Sequence, residues 1–424
     1  MPEGMRWVGL DVHAYETAGA VFDAATGEVE SHRLSGRPHE LLDWLEGLEP
    51  PIRAVYEAGP TGYGLARRAA ERGLDVRVCA PGHIARRPGD RVKTDRRDAL
   101  RLARLLAAGD LTLVVVPPLE HERVRDLVRC REDVRGDLMR VRHRIGKFLL
   151  RRELYYPGNG RGRGGRNWTQ HHRDWLCSLR FADRSSELCF ADYLHAHDAL
   201  LTRREGLDRA LAEIAADCPF TPLIGRLRCL RGVDTLSALG LCAEVSDFGR
   251  FARPEALAAY LGLVPSESSS GERRRLGSIT KAGSGHARRL LVEAAHHYSR
   301  PPRVSKELRL RQQGQEAWVI ETAWRCQRRL FGRWERLRVE RGKRGGVAIV
   351  AIARELLLGA RRHRVSTTTT AHRLLGRRGS GRLAHGRARD GAMGNHPQGA
   401  APEPRQRAVR RTDGLGAEEP RISA

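Results

Sequence analysis

A mixed α/β chain is predicted, with a strand-rich N-terminal domain, a long helical middle, a mainly helical C-terminal domain and an unstructured tail. Three observations predict it. Short β-branched runs alternate with helix-period segments over residues 5–106, and apolar spacings of three and four take over from residue 120. From residue 361 the apolar period stops.

The first strand, 5–12, carries WVGLDV (Trp7 to Val12), whose alternation and β-branched content bring Asp11 to its end. Strands at 16–23 and 28–34 and a helix follow. Next comes the apolar run Ile52 to Tyr56, closed by Glu57 and stopped by Ala58-Gly59-Pro60-Thr61. A helix over Gly62 to Arg72 leads to a strand over Asp75 to Cys79. Thr94 is the expected cap of a helix running through Leu100, Leu102, Ala103, Leu105 and Leu106. Three strands, then helix, strand, helix, strand, helix, is the layout of an RNase H-like fold. Its acids stand on the first strand, the fourth strand and a late helix.

Asp95 and Asp98, three apart, share a helix face. Together with Asp11 and Glu57 they form four carboxylates aimed at one point, mutually repulsive unless a cation neutralises them. Hard oxygen ligands suit Mg²⁺ or Mn²⁺. Two such ions, about 3.5–4 Å apart, can serve phosphodiester displacement by activating the attacking oxygen and stabilising the leaving one. Each acid also has an ordinary reading: Asp95 as a first-turn acid favoured by the helix dipole, Asp98 as the partner of Arg101 or Arg104.

The 424 residues suffice for two or three domains, and 40% apolar residues can build cores. A net charge of +25 calls for a polyanionic partner, most simply nucleic acid. The eight cysteines form no C-x-x-C pair and no zinc-like spacing with histidine. His171-His172 and His296-His297 are adjacent pairs, read as polar or facing nucleic acid. No long apolar run suggests a membrane span, so a reduced, cytoplasmic and nucleoid-associated bacterial setting is expected.

Residues 120–150 carry Val124, Leu127, Val134, Leu138, Val141, Ile145 and Phe148 along one seam, broken by Arg131. A Gly/Arg-rich interruption, Pro157 to Arg166, ends in Asn167-Trp168-Thr169; its arginines and Trp168 suit nucleic acid, or Trp168 belongs to a core. Leu188, Leu194, Leu201, Leu207, Leu211 and Ile214 mark a returning helix, hence an antiparallel coiled-coil arm. Leu230-Arg231-Gly232-Val233-Asp234 followed by Leu236 to Val245 suggests a glycine turn between helices, able to offer backbone N–H groups to phosphate. Pro265-Ser266-Glu267-Ser268-Ser269-Ser270-Gly271 reads as a loop. Arg273, Arg274, Arg275, Lys281 and Arg288 follow it and suit phosphate clamping. Gly283 and Gly285 admit close backbone approach or start the next helix.

VGLDVH, AVYEAGPTGYGL and VKTDRRDALRLARLL resemble the N-terminal RuvC-like DEDD domain of transposases of the insertion-sequence 110/1111 family. LRCLRGVDTLSALGLCAEVSDFGRF and the segment from AYLGLVPSESSSGERRRLGSITKAG onward resemble that family's C-terminal transposase domain. The resemblance implies a metal site of Asp11, Glu57, Asp95 and Asp98, and a nucleophilic serine five residues after Pro265, which is Ser270. It further implies DNA element ends and target as substrates, a noncoding guide RNA, and a dimer or tetramer.

The implied organisation is 1–119 for the DEDD domain, 120–222 for the arm, 223–360 for the C-terminal domain and 361–424 for the tail. The tail holds 14 arginines against 5 acids and no packable apolar face, so disorder is expected. A frameshifted end and an RNA-binding tail both account for it. Three functions stay open: an RNA-guided recombinase using serine, a RuvC-like junction nuclease using water, and an idle nucleic-acid-binding relic.

Overall fold

The computed structural model describes residues 4–81, 94–159, 167–270 and 273–362. Strands β1 (Arg6–Val12), β2 (Glu16–Asp23) and β3 (Val29–Ser35) form an antiparallel meander, followed by α1 (Pro38–Glu46). Then come β4 (Ile52–Glu57), α2 (Gly64–Glu71), β5 (Val76–Cys79) and α3 (Asp95–Ala108). β4 joins β1 in parallel and β5 joins β4 in parallel, giving the order β3-β2-β1-β4-β5. This mixed five-stranded sheet is consistent with the RNase H-like expectation, and the three expected first strands stand within one residue of the observed ones.

Alternation along β1 and β4 divides the domain into layers. Val8, Leu10, Ala54 and Tyr56 pack towards Leu41, Leu45, Leu65 and Ala69 of α1 and α2. Trp7 and Val55 face the other way, towards Leu102 and Leu106 of α3. Each fully buried large side chain contributes roughly 1.5–3 kcal/mol. Gly9 lies on the α3 side, where a β-carbon would stand 1.9 Å from the Ala99 carbonyl oxygen and 2.7 Å from the Ala103 nitrogen. Its missing side chain is what lets α3 settle on β1.

Helix α4 (Leu119–Leu150) buries Val124, Val134, Leu138, Val141, Ile145 and Phe148 as the seam predicts. After α5 (Gln170–Ser178), α6 (Arg184–Ala216) returns alongside it. Phe148 stacks on Phe190, Arg131 meets Asp208, and Val124 shares a cluster with Leu211, so the pair is antiparallel. The seam's break is filled by charge: Arg131 Nε donates to Asp208 Oδ1 at 2.6 Å.

Two expectations in the arm are corrected, and one alternative is decided in favour of the core. Leu188 is 60% exposed, because the inward positions of its turn go to Ser186 and Phe190. His172 is buried rather than facing a ligand, and its Nδ1 accepts from the Trp168 backbone N–H at 3.2 Å. Trp168 stacks on His197 at 4.9 Å and lies under the Arg142 guanidinium at 4.8 Å, so its faces serve internal packing.

The C-terminal part comprises α7 (Thr221–Leu227), α8 (Thr235–Val245), α9 (Pro254–Tyr260), β6 (Pro265–Ser270), β7 (Arg273–Ile279), α10 (Gly285–Ala295), α11 (Lys306–Gln312), α12 (Ala317–Glu335) and α13 (Gly345–Arg362). Tyr298, Phe248, Leu291 and Leu356 lie in its core, which also takes Val124 and Val128 from α4. The glycine turn between helices is present, with Gly232 at φ +81°. Asp234 caps α8 by accepting from the Ser237 N–H at 2.8 Å. The serine stretch, expected as a loop, is strand β6. It lacks apolar alternation and takes its order from pairing with β7.

Helix α4 is gripped from both sides along its first turns. Arg67 of α2 pairs with Glu122, and His121 Nδ1 lies 2.8 Å from Ser246 Oγ. Arg129 binds Glu244 of α8 through two 3.0 Å bonds, and Arg289 of α10 reaches Glu132 at 2.6 Å. Among the described residues no helix is long and apolar enough to cross a membrane, and all eight cysteines are free. The Gly/Arg-rich stretch at 160–166 and the tail from 363 lie outside the described residues.

Candidate active site

Asp11 follows Leu10 on β1, and alternation turns it with Trp7 and Gly9 towards α3. Because Gly9 admits α3 so closely, the helix's first turn comes to the end of β1 and brings Asp95 to Asp11. One ligand atom each of Asp11, His13 and Asp95 falls within 4.8 Å of the others. His13 Nε2 stands 3.5 Å from Asp11 Oδ2 and 3.9 Å from Asp95 Oδ1. Burial raises the Asp11 carboxyl above its ordinary range; His13 opposes this, and the negative charges of Asp95 and Asp98 add to it.

Glu57 closes β4 beside β1, one residue past the parallel pair Leu10 and Tyr56. It follows Val55 onto the α3 side, in register with Cys79 of β5. Burial, with the Glu57 charge added, pushes the Cys79 thiol up to about 12. The loop beyond Glu57 is pinned by the buried Tyr56, whose hydroxyl donates to the Gly62 carbonyl at 3.0 Å. Asp98 lies one turn beyond Asp95, with Arg101 Nη1 at 3.6 Å. Thus the described structure gathers Asp11 and Asp95 tightly with His13, while Glu57 and Asp98 flank that group on the same side of the sheet. Thr94 holds the expected cap position of α3, but its carbonyl rather than its side chain makes the first bond, to Asp98 N at 3.1 Å.

A family profile for the DEDD domain of IS110 transposases, described as transposase, matches residues 8–152, the stretch that carries all four acids. A second, described as Transposase IS116/IS110/IS902 family, matches residues 225–309. A Sinorhizobium fredii protein with the provisional name transposase y4qE is 38% identical over 366 residues, covering 82% of this chain and 86% of that protein. The transposase for insertion sequence element IS1533 of Leptospira borgpetersenii is 31% identical over 347 residues, covering 80% of this chain and 98% of its own. This chain belongs to the IS110/IS116/IS902 family of insertion-sequence transposases. The transposase for IS1111A of Coxiella burnetii is a more distant relative, 26% identical over 229 residues, covering 53% of this chain and 59% of that one.

The transposase carries Ser270 on its second sheet, apart from the acids. Ser270 ends β6 opposite Arg273, with Ser269 opposite Arg274 and Ser268 opposite Arg275, so serine and arginine backbones share the hairpin's end. Lys281 takes a left-handed backbone at φ +57° and donates its N–H to the Gly262 carbonyl at 3.2 Å. Gly283 fulfils the close-approach reading: at φ +65°, a β-carbon there would stand 2.0 Å from the Tyr260 carbonyl oxygen. Arg288 Nη1 donates to the carbonyls of Leu261, Ala282 and Gly283, tying this turn together.

The donor set of the acidic group fits a hard divalent cation. Two carboxylates and one imidazole nitrogen lie within chelating reach, and the Asp11 carboxyl is raised by burial with the negative charges of α3 adding to it against His13. His13 is the residue that sequence reasoning passed over. Its signal was its place two residues after Asp11 in VGLDVH, which becomes informative only once α3 is docked.

Proposed function

We propose that this transposase cuts and rejoins DNA at the ends of an insertion sequence and at its target. In this reading Ser270 is the nucleophile, and Asp11, Glu57, Asp95 and Asp98, joined by His13, hold Mg²⁺ or Mn²⁺. The observation that carries it is the convergence of Asp11 and Asp95 from different elements to within 4.8 Å. A bound divalent cation would supply the positive charge this group lacks, and electrostatic stabilisation for a phosphodiester under attack.

The chain's own residues perform the rest. Ser270 Oγ forms a bond to phosphorus as the bond from phosphorus to one deoxyribose oxygen breaks. The serine proton departs and the leaving oxygen takes one up, so the charge of the diester is unchanged. The strand is then held as a phosphoserine diester that a hydroxyl from another strand can attack in reverse, releasing serine. Because the acids lie on β1, β4 and α3 while Ser270 lies on β6, the reading requires both to meet at one phosphate. Arg273, Arg274, Arg275 and Lys281 are proposed to hold the flanking phosphates. A noncoding guide RNA and a dimer or tetramer are part of the proposal on the strength of the family resemblance, and the +25 charge supports a polyanionic partner.

Labelled target DNA, Mg²⁺ and the RNA transcribed from the element's flanks are incubated with wild type, Ser270→Ala, Ser269→Ala and Asp11→Asn, then denatured. Protein-linked DNA is expected with wild type and Ser269→Ala and with neither of the others. An adduct in Ser270→Ala overturns the serine assignment. Cleavage by wild type without any adduct replaces serine with water, and undiminished cleavage in EDTA removes the metal.

A further inference from the structure

The glycine turn before α8 opens on a cavity of about 850 Å³ into which four arginines converge: Arg231, Arg300, Arg303 and Arg311. Its carboxylates are Asp234 and Glu307, two against four arginines, and they offset part of the charge of Arg311 and, for Glu307, of Arg303. Asp234 caps α8, and Glu307 is tied to Ser305 at the start of α11. The wall is built rather than incidental. Arg231 Nη1 donates to the carbonyls of Arg300 at 3.2 Å and Pro301 at 2.9 Å, holding the loop that presents Arg300 and Arg303. Gln327, 2% exposed, accepts from the Arg303 backbone N–H at 2.6 Å and from Arg231 at 3.4 Å. Arg311 spends one nitrogen on the Val233 carbonyl, while its buried Nε has no hydrogen-bond partner among the described residues. Arg300 and Arg303 are exposed, and their guanidiniums make no side-chain hydrogen bond or close ion pair among the described residues.

We propose that this cavity binds a phosphodiester of a nucleic-acid strand, as a phosphate-holding site separate from the acidic group and from the serine hairpin. Four guanidiniums against two carboxylates leave an excess of positive charge around the cavity that an anion would complete, and forked guanidiniums match phosphate oxygens. The lowered pKa of His297, on the cavity wall, agrees: burial and the charges of Arg231, Arg300 and Arg311 disfavour its protonation. Nucleic acid as the source of the phosphate rests on the transposase reading; the site itself does not depend on cleavage.

The test uses the full chain in EDTA, so that strand chemistry and metal binding do not enter. Inorganic phosphate is added against chloride at equal ionic strength, and binding of single-stranded DNA and RNA of one sequence is followed by anisotropy over a salt series. Wild type is compared with Arg300→Gln/Arg303→Gln and with an equal charge loss on the arm, Arg144→Gln/Arg151→Gln. Saturating phosphate should raise the melting temperature of wild type and of the arm variant by about 2 °C or more, and leave the cavity variant unmoved. The cavity variant should also bind at least one of the two strands about tenfold more weakly, with a salt slope shallower by about 0.7 for the one phosphate lost. Whichever strand is affected identifies the polymer. A phosphate-induced rise that persists in the cavity variant, or strand binding equal to wild type for both polymers, overturns the proposal.

Discussion

Gly9→Ala tests how the acidic site is assembled. The added β-carbon would stand 1.9 Å from the Ala99 carbonyl oxygen and 2.7 Å from the Ala103 nitrogen, both backbone atoms that no rotamer change can move. Contacts under 3.0 Å are not tolerated, so α3 must withdraw from β1 by at least about 1.1 Å. Overpacking of this kind costs about 1–3 kcal/mol. Ala99 is one turn from Asp95, so the withdrawal also widens a group whose ligand atoms now lie within 4.8 Å. We expect Mn²⁺ affinity, measured by the resonance of the free ion, to fall about tenfold or more. Urea unfolding should show the stability loss in parallel. Leu102→Ala is the control: it leaves a cavity under α3, costs about 2–5 kcal/mol, and inserts nothing between helix and strand. It should therefore lose stability while binding Mn²⁺ nearly as wild type does. Gly9→Ala protein with wild-type Mn²⁺ affinity would refute the close-approach argument.

Other perturbations follow from the charge pairs. Burial opposes the charge of Glu244, but His286 at 3.7 Å, the two hydrogen bonds from Arg129 and nearby Ser284 bring its pKa down to about 2 from 4.5. A depressed carboxylate contributes stability above its unfolded pKa and loses it as pH falls through the folded value, so the window is about pH 4.5 to 2. Glu244→Gln should cost on the order of 3 kcal/mol in urea unfolding at pH 6 and progressively less below pH 4.5. A deficit independent of pH would count against the pairing. Arg131→Met alone should destabilise by about 1–3 kcal/mol by leaving Asp208 only the longer contact to Arg204 at 3.9 Å, whereas Arg131→Met/Asp208→Leu should recover most of that loss in the same assay. Truncation after residue 362 should leave the unfolding midpoint unchanged but make nucleic-acid binding less salt-dependent, since the removed segment is arginine-rich and lacks an apolar period.

The sheet and its acids were legible because local signals agree there. Asp11 and Glu57 each close a β-branched run, and a breaker string follows Glu57 immediately. The arm's seam was legible from its spacing, and even its flaw at Arg131 was visible, although the compensating Asp208 lies 77 residues away. What stayed hidden depends on tertiary contact. His13 gains meaning only when Gly9 brings α3 down. His172 reads as a polar surface pair until Trp168, Tyr156 and Trp175 enclose it. Strand β6 has serines where a half-buried strand would show alternation, so nothing in that stretch announces the partner β7. Arg231 appeared only as part of a turn, because the carbonyls that hold it belong to residues 300 and 301.

Helix α4 works as a phase-setting shaft. Over its 32 residues, about 48 Å of length, α2 of the acid-bearing domain holds it at Glu122 and the C-terminal helices hold it at Arg129 and Glu132. The angular offset between the two bodies is therefore written in the number of residues between those grips. One residue inserted between Glu122 and Arg129 would turn everything beyond it by about 100° while lengthening the shaft by only about 1.5 Å. Substitutions on the outward face of this stretch are free to drift, but an insertion or deletion of a single codon there is geometrically far larger than any point change. Seven-residue steps are the ones that nearly restore the angle.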